Sequence, residues 1–310
     1  DNTAVVSIFY GFMLFLGFLG AGFNPAFHDI IAHKVKLQSR SFVHNTVYSG
    51  QQLGSVLATV GVNISIDQFG WRVTFAIAGG ICLCVAITWR LVVDRDMPDV
   101  DNTRKSHGDP ADDVRLSSVV VTRGASADET APPSASAALF TPYEKWRTVL
   151  TSPAFLVICL NHFGAVWVSR VASNWGPTFL HAQEGIPFKD LGYLASIPNL
   201  LSFFVIAGSG VLTLHLIKRR QWTVVGVRKF AQGLGLGIPA LALIWMNYAT
   251  SKYLVIGLLL FSGALQGLAF GGYHCNHIDI APDPNMASLM YSITNSIGQI
   301  SGVVEPLVDG

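Results

Sequence analysis

The chain has 310 residues; 51% of them are hydrophobic, only 13% are charged, and the net charge is +1. Soluble domains carry about 25% charged residues, so much of the charge that normally covers a water-exposed surface is missing here. This composition excludes an ordinary soluble globular protein and favours one that lies in a lipid bilayer. The four cysteines fall in apolar stretches without regular spacing, which indicates packing residues and no disulfide framework.

Eight apolar stretches have a length that suits a transmembrane helix, which needs about 20 residues to cross the bilayer core. In chain order they cover residues 5–27, 42–66, 73–93, 154–180, 191–217, 226–248, 253–274 and 287–308. Most of them are apolar on all faces, so their periodicity says little about which face is buried. The sequence therefore predicts an all-α, multi-pass membrane protein with about eight transmembrane helices.

The basic residues test this count independently, because the cytoplasmic loops of membrane proteins carry an excess of Lys and Arg. If the eight spans alternate in direction, sixteen of the twenty Lys and Arg residues lie on one side of the bilayer. Only Arg72, Lys189 and Lys252 fall on the other side, and Arg170 lies within a span. This asymmetry predicts that residue 1 is non-cytoplasmic and that the loop after the first span is cytoplasmic.

Residues 95–150 differ in composition from the rest of the chain. They are rich in Asp, Ser, Ala and Pro and poor in aromatic residues, so they cannot bury enough surface to order themselves. We predict that they form a flexible cytoplasmic linker between two helical bundles. The predicted organisation is part of an N-terminal bundle at 1–94, the linker at 95–150 and a C-terminal bundle at 151–310.

Two motifs in the last forty residues carry a family resemblance. Residues 272–282 read "GYHCNHIDIAP" and residues 288–310 read "SLMYSITNSIGQISGVVEPLVDG". They resemble the tenth and eleventh helices of the anion:cation symporter family, a branch of the major facilitator superfamily with sodium/phosphate cotransporters, sialin and vesicular glutamate transporters. The stretches "PAFHDIIAH" and "YSGQQLGS" are similar to the family's fourth and fifth helices.

The resemblance implies a major facilitator superfamily fold that is incomplete in this chain. The family has twelve helices, and the chain is expected to begin in the fourth and to stop in the eleventh. The implied function is secondary active transport of an anion, inorganic phosphate or a small organic anion, by alternating access with sodium or proton coupling. The expected partners are that anion, the coupling ion and the lipid bilayer; no enzyme activity, cofactor or nucleic acid is expected.

Arg170 is the candidate substrate-binding residue. It lies inside a predicted span, where a charged side chain is costly and usually functional, and its planar guanidinium suits a carboxylate or a phosphate. His162 and Asn174 lie about two turns before it and one turn after it. A structural ion pair is the alternative role. The family places an arginine six residues earlier, near Gly164, so Arg170 does not match that position.

His277, Asp279 and Asn276 are the candidate coupling or gating residues, because they form the specific run of the tenth helix. Glu305 joins them as the only acidic residue deep in a predicted span. Three roles are open for it: to replace the carboxylate that the family carries in its fourth helix, which has no charge here, to pair with Arg170, or to lie exposed near a helix end.

A metal site is a formal alternative at the same run, because His274, Cys275, His277 and Asp279 lie close together in sequence. These residues lack the spacing of a structural zinc site, so no metal is predicted. No nucleophile is paired with a base by spacing, so no catalytic site is predicted either. "GLGLG" at 233–237 has the look of a phosphate loop, but it lies inside an apolar helix without a preceding strand.

Glycines repeat every four residues along the tenth helix, at Gly263, Gly267 and Gly271. Small residues at this spacing predict close packing against another helix. The alternative to a carrier is a non-transporting membrane scaffold or sensor that descends from one, which the uncharged fourth helix favours. The sequence leaves open whether the membrane is a plasma, vesicular or plastid membrane.

Overall fold

The computed structural model describes residues 2–93, 142–170, 176, 181–182, 185 and 188–308. Over these residues the chain is helical and has no strand, which confirms the predicted all-α class. The α-helices are α1 Asn2–Gly20, α2 Phe23–Lys34, α3 Arg40–Val93, α4 Pro142–Leu150, α5 Pro153–Arg170, α6 Phe188–Lys218, α7 Val224–Gln232, α8 Ile238–Met246, α9 Lys252–Leu265, α10 Tyr273–Ile280 and α11 Pro284–Val308. The last part of the predicted linker, residues 142–150, is helical as α4, and Val149 is buried in a core cluster, so the linker prediction is wrong there. The rest of the predicted linker lies outside the described residues, so its flexibility stays a prediction.

The described helices account for most of the predicted spans. Five stretches are long and apolar enough to cross a membrane, namely Val6–Lys34, Leu37–Val92, Ser196–Lys218, Val224–Met246 and Lys252–Ile280. The second of them covers two predicted spans. The remaining two predicted spans, 154–180 and 287–308, are helical over their described parts as α5 and α11.

α3 contains the second and third predicted spans within 54 residues. As one straight helix it would be about 80 Å long, far more than the roughly 30 Å thickness of a bilayer core. It is broken at Gly70, whose φ of +76° is accessible to glycine without the steric cost of a side chain. Across the break, Thr74 Oγ1 donates to Ser65 Oγ at 2.9 Å. The chain therefore bends between the two spans, where the sequence predicts a loop.

Large apolar side chains cover the outer surface of α1 and of α3 beyond Gly70. Ile8 is 73% exposed, Leu14 76%, Phe18 81% and Phe75 72%. Contiguous apolar cover of this kind is rare on a protein that faces water, whereas lipid chains solvate it. The surface therefore agrees with a membrane protein.

The two predicted bundle regions pack directly against each other in the structure. α3 makes its main contacts with α6, and α11 packs against both α2 and α5. Several side chains buried between these helices are polar, including His28, His44, Asn45, His277 and Thr294, each with no exposed surface. Polar groups inside a membrane bundle need partners on neighbouring helices. These side chains lie where the two bundle regions meet, and we call the two regions the halves of the chain.

The helix predicted at 253–274 is interrupted in the structure. Between α9 and α10 the chain forms a 3-10 segment, Gln266–Gly271, which packs against the π-helical segment Gly233–Gly237. A Cβ atom added to Gly235 would lie 2.8 Å from Ala269 Cα. Cβ atoms added to Gly267 and Gly271 would lie within 2.9 Å of the side chains of Ile206 and Ser209. The predicted close packing along this helix is therefore present, and the "GLGLG" run packs against it.

We expect Gly235→Ala to lower the free energy of unfolding by about 1–3 kcal/mol, the usual cost of overpacking a closely packed interior. The added methyl group would press on the Ala269 backbone, which cannot move aside as a flexible side chain can. The measurement is thermal unfolding of the chain in detergent. Gly237→Ala is the matched control, because an added Cβ there meets nothing within 4 Å; equal midpoints for the two variants would contradict the prediction.

Candidate functional site

Helices α2 and α6 end with Lys34 and Lys218 at the same end of the bundle, which we call the basic end. An ion network joins the two halves there. Arg228 in α7 donates from Nε and Nη2 to Asp279 Oδ2 in α10, at 2.9 and 2.7 Å. Its Nη1 donates to the Gly271 carbonyl at 2.9 Å and also to Ser41 Oγ in α3. Arg228 is 3% exposed, so its charge depends on these partners.

Arg40, at the start of α3, completes the network. Its Nη1 lies 3.6 Å from Asp279 Oδ1 and donates to the Ile278 carbonyl at 3.2 Å. Its Nη2 donates to the Ala32 carbonyl near the end of α2, also at 3.2 Å. We call Arg40, Arg228 and Asp279 the arginine lock, because one carboxylate and two guanidinium groups hold four helices together at the basic end.

Only one member of the lock was a candidate site residue from the sequence. The run around Asp279 indicated a gating role, and the structure gives it contacts that suit such a role. Arg40 and Arg228 were counted among the charges at span ends, because each stands at a boundary where a basic residue is ordinary. No sequence pattern marks them as buried; only the packing of α2, α3, α7 and α10 does.

Five histidines from four helices lie just inside the lock, and we call them the histidine layer: His28, His44, His162, His274 and His277. All five are buried, with at most 6% exposure. His28 and His274 lie six residues before the ends of α2 and α10, which places them about 9 Å inside the basic end. Tyr48, Tyr273 and Tyr291 pack among the rings. The layer spans the boundary between the two halves.

Thr294 in α11 connects two members of the layer. Its Oγ1 lies 2.6 Å from His277 Nε2 and 3.1 Å from His162 Nδ1. His277 Nδ1 lies 3.1 Å from the His274 carbonyl and donates to it. With neutral imidazoles, Thr294 then donates to His277 and accepts from His162. The result is one continuous chain of hydrogen bonds through α5, α11 and α10.

We expect Thr294→Val to lower the free energy of unfolding by about 1–3 kcal/mol, because it keeps the shape but leaves buried imidazole nitrogens unpaired. Thr88→Val is the matched control, since the Thr88 hydroxyl is exposed and donates only to the carbonyl of Cys84 on its own helix. The measurement is the thermal unfolding midpoint of each variant in detergent. A Thr294→Val midpoint as high as that of the control would contradict the hydrogen-bond chain.

A cavity of about 580 Å³ opens on the other side of the histidine layer. Its lining runs from Phe270, Tyr48 and His274 at the layer to Thr59 and Ile256 towards the opposite end of the bundle. Asparagine, glutamine, serine and threonine side chains of both halves line it. Among the described lining residues there are two histidines, one basic side chain of the arginine or lysine type and no acidic side chain.

That basic side chain is Arg170, the predicted substrate-binding residue. Its Nη2 donates to Gln299 Oε1 in α11 at 2.5 Å, and its Nε is buried without a hydrogen-bond partner. The guanidinium lies over Gly302, where an added Cβ would come 2.6 Å from Arg170 Cζ. His162 lines the same cavity. The structure therefore brings Arg170 and His162 to one cavity, and the hydrogen-bond partner of Arg170 among the described residues is the neutral side chain of Gln299.

The other predicted site residues divide into three groups. Asn174 and the side chain of Glu305 lie outside what the structure describes, so their roles stay predictions. His277 belongs to the histidine layer, and Asp279 belongs to the arginine lock. Asn276 is half-buried on the same turn of α10.

Two of the four residues that the sequence suggested as metal ligands already have other partners. Asp279 holds two arginines, and both ring nitrogens of His277 have hydrogen-bond partners. A different set comes together instead: ring nitrogens of His28, His44 and His274 all lie within 4.8 Å of one another. These residues come from α2, α3 and α10, far apart in the chain, so sequence spacing gave no signal of their proximity.

Comparison with known proteins agrees with the fold and with the motifs of α10 and α11. The family model of the Major Facilitator Superfamily matches residues 3–306. Vesicular glutamate transporter 2.1 of Danio rerio is 26% identical over 309 residues, which cover 97% of this chain and 50% of the relative. Vesicular glutamate transporter 1 of Bos taurus is 26% identical over 98% of this chain and 52% of the relative.

Vesicular glutamate transporter 2 of Homo sapiens is 25% identical over 98% of this chain and 50% of its own length. The chain thus spans about half the length of the curated relatives it matches. These relatives are members of the anion:cation symporter family, so the resemblance drawn from the motifs is confirmed. With helices apolar enough to cross a membrane and a family match over nearly its whole length, this chain is an integral membrane protein that belongs to the Major Facilitator Superfamily.

Proposed function

We propose that this chain forms the substrate cavity of a secondary active transporter for a small organic anion. The observation that carries the proposal is Arg170, the one arginine or lysine among the described residues that line the cavity, where no described lining residue is acidic. A guanidinium in a site of low dielectric attracts an anion strongly, because few water molecules screen the charge. Its described hydrogen-bond partner, the side chain of Gln299, is neutral, so an anion can supply the counter-charge.

The position of the lock supports transport by alternating access. The cavity lies on one side of the histidine layer, and the arginine lock joins the halves on the other side. This arrangement suits a carrier in which the basic end is closed while the cavity faces the opposite side. Breaking the lock and closing the opposite side would present the same cavity to the basic end.

The size and lining of the cavity favour an organic anion over a bare inorganic ion. A volume of about 580 Å³ lies in the range of small-molecule sites. Aromatic and aliphatic side chains share the lining with amides and hydroxyl groups, and these suit a molecule with carbon atoms as well as a carboxylate. Its relatives are vesicular glutamate transporters, which makes glutamate the first organic anion to test. Inorganic phosphate is the second candidate, since one guanidinium also fits a phosphate group.

Uptake of labelled anion into proteoliposomes tests the proposal. The complete protein to which this chain belongs is reconstituted with glutamate, a dicarboxylate or phosphate outside, under a sodium gradient, a proton gradient or neither. Gradient-dependent uptake of an organic anion is expected, and the gradient that drives it identifies the coupling ion. Uptake of phosphate alone would overturn the choice of substrate class. No uptake of any anion by folded, oriented protein would favour the scaffold or sensor instead.

A further inference from the structure

We propose that His28, His44 and His274 form a binding site for a transition-metal cation of the zinc or copper class, at the floor of the cavity. This site goes beyond anion transport and does not depend on it. Each of the three side chains offers a ring nitrogen, and these nitrogens lie within 4.8 Å of one another. Nitrogens bound to one tetrahedral zinc ion are about 3.3 Å apart, given zinc–nitrogen distances of roughly 2.0–2.1 Å. Small side-chain movements would therefore bring the three nitrogens close enough to bind one ion.

The hydrogen bonds of the rings leave the required nitrogens available. His28 Nδ1 lies 2.9 Å from the Asn24 carbonyl, and Nε2 lies 3.4 Å from the His274 carbonyl. With the ring proton on Nδ1, the shorter contact is a hydrogen bond and Nε2 keeps its lone pair for a metal. A ring N–H bonded to a backbone carbonyl is the usual support behind a metal-binding histidine. His44 Nδ1 lies 3.2 Å from the Asn45 side chain, so Nε2 is the nitrogen it has for a metal.

Two nitrogens of the set have no partner within the described protein. His44 Nε2 and His274 Nδ1 are buried and make no hydrogen bond. His44 has no exposed surface and His274 is 6% exposed. A buried polar atom without a partner costs about 1–3 kcal/mol, and two of them on histidines of one converging set call for a common explanation. A metal ion bound between the rings satisfies both nitrogens at once.

Aromatic stacking holds each ring in place. His28 stacks on Tyr291 with centroids 3.9 Å apart, His44 on Tyr48 at 4.5 Å and His274 on Phe270 at 4.5 Å. Such packing fixes the ring planes before any ligand arrives, which lowers the entropic cost of binding. His28, His44 and His274 lie in α2, α3 and α10, so a metal bound by all three would link the two halves.

Ligand type and charge define the class of ion. Three imidazoles suit zinc and copper, whereas magnesium and calcium prefer oxygen ligands. Three protein ligands leave a fourth position, and His274 is among the residues that line the cavity. A hydroxide or another anion from the cavity can take this position and offset part of the charge, which neutral imidazoles do not.

Cobalt(II) is the probe, because its visible absorption is intense in tetrahedral sites and weak in octahedral ones. The full chain is purified in detergent through an affinity tag that contains no histidine and is titrated with CoCl₂. One equivalent is expected to give an intense visible band that one equivalent of zinc removes. His44→Ala and His274→Ala should each reduce the band at least tenfold. His33→Ala is the matched control, because His33 lies on α2 and interacts with Asp29 at the surface.

His274→Cys keeps the test decisive if the alanine variants fail to fold. A thiolate at this position should retain the metal and add a near-ultraviolet sulfur-to-cobalt charge-transfer band, which a merely structural histidine would not produce. Folded wild-type protein without a tetrahedral cobalt spectrum would overturn the proposal, as would an unchanged spectrum in folded His44→Ala. Cobalt binding is read without any gradient or substrate. Uptake without cobalt binding would refute only the metal site, and cobalt binding without uptake only the carrier.

Discussion

Asp279→Asn should lower the free energy of unfolding by about 3–5 kcal/mol, the usual cost of removing one partner from a buried ion pair. The amide keeps the shape of the side chain but removes the negative charge between two buried arginines. Arg228 is 3% exposed and Arg40 8%, so water cannot replace the lost charge. The measurement is thermal unfolding in detergent, compared with Asp29→Asn, whose carboxylate is 47% exposed. Similar losses for both variants would contradict the lock.

The same variant tests whether the lock closes the basic end. Cys275 lies in α10 beside the lock and has no exposed surface. If the lock holds the halves together, Asp279→Asn should raise the rate at which a maleimide labels Cys275, read by mass spectrometry of the peptide. Cys159 is the internal reference, because it is buried in a different cluster, with Met286 and Met290. Equal acceleration at both cysteines would indicate general unfolding and contradict a specific opening.

Arg170→Ala should weaken the apparent affinity for the transported anion by about 10- to 100-fold. A hydrogen bond to a charged group contributes roughly 1.5–3 kcal/mol, and each 1.4 kcal/mol is a factor of ten. The cavity has no second arginine and no lysine among its described lining residues that could take over. The measurement is the concentration dependence of uptake in proteoliposomes.

Two further substitutions define what Arg170 contributes. Arg170→Lys keeps the positive charge but loses the planar fork of donors, so its apparent affinity should fall between those of wild type and Arg170→Ala. Arg72→Ala removes an exposed arginine that does not line the cavity and should leave the affinity unchanged. An unchanged apparent affinity in Arg170→Ala would remove Arg170 from the binding site.

Composition and charge alone determined the class of this protein. The scarcity of charged residues, the apolar stretches and the one-sided distribution of Lys and Arg predicted a helical membrane protein. Six of the eight predicted spans have counterparts among the helices long and apolar enough to cross a membrane. This works because the bilayer imposes one requirement on every span, about 20 apolar residues, and that requirement is local in the sequence. The motifs of α10 and α11 likewise identified the family, because they are continuous in the chain.

Contacts between distant segments could only come from the tertiary structure. Arg228 stands at a span boundary and was counted as a loop charge, yet packing against Ser41 and Asp279 buries it. His28 and His274 are separated by 246 residues in the chain, and His28 Nε2 nevertheless lies 3.4 Å from the His274 carbonyl. A buried polar residue is recognisable only by what surrounds it, and those surroundings come from other helices. The spans follow from local hydrophobicity, whereas the lock, the histidine layer and the cavity follow from how the helices pack.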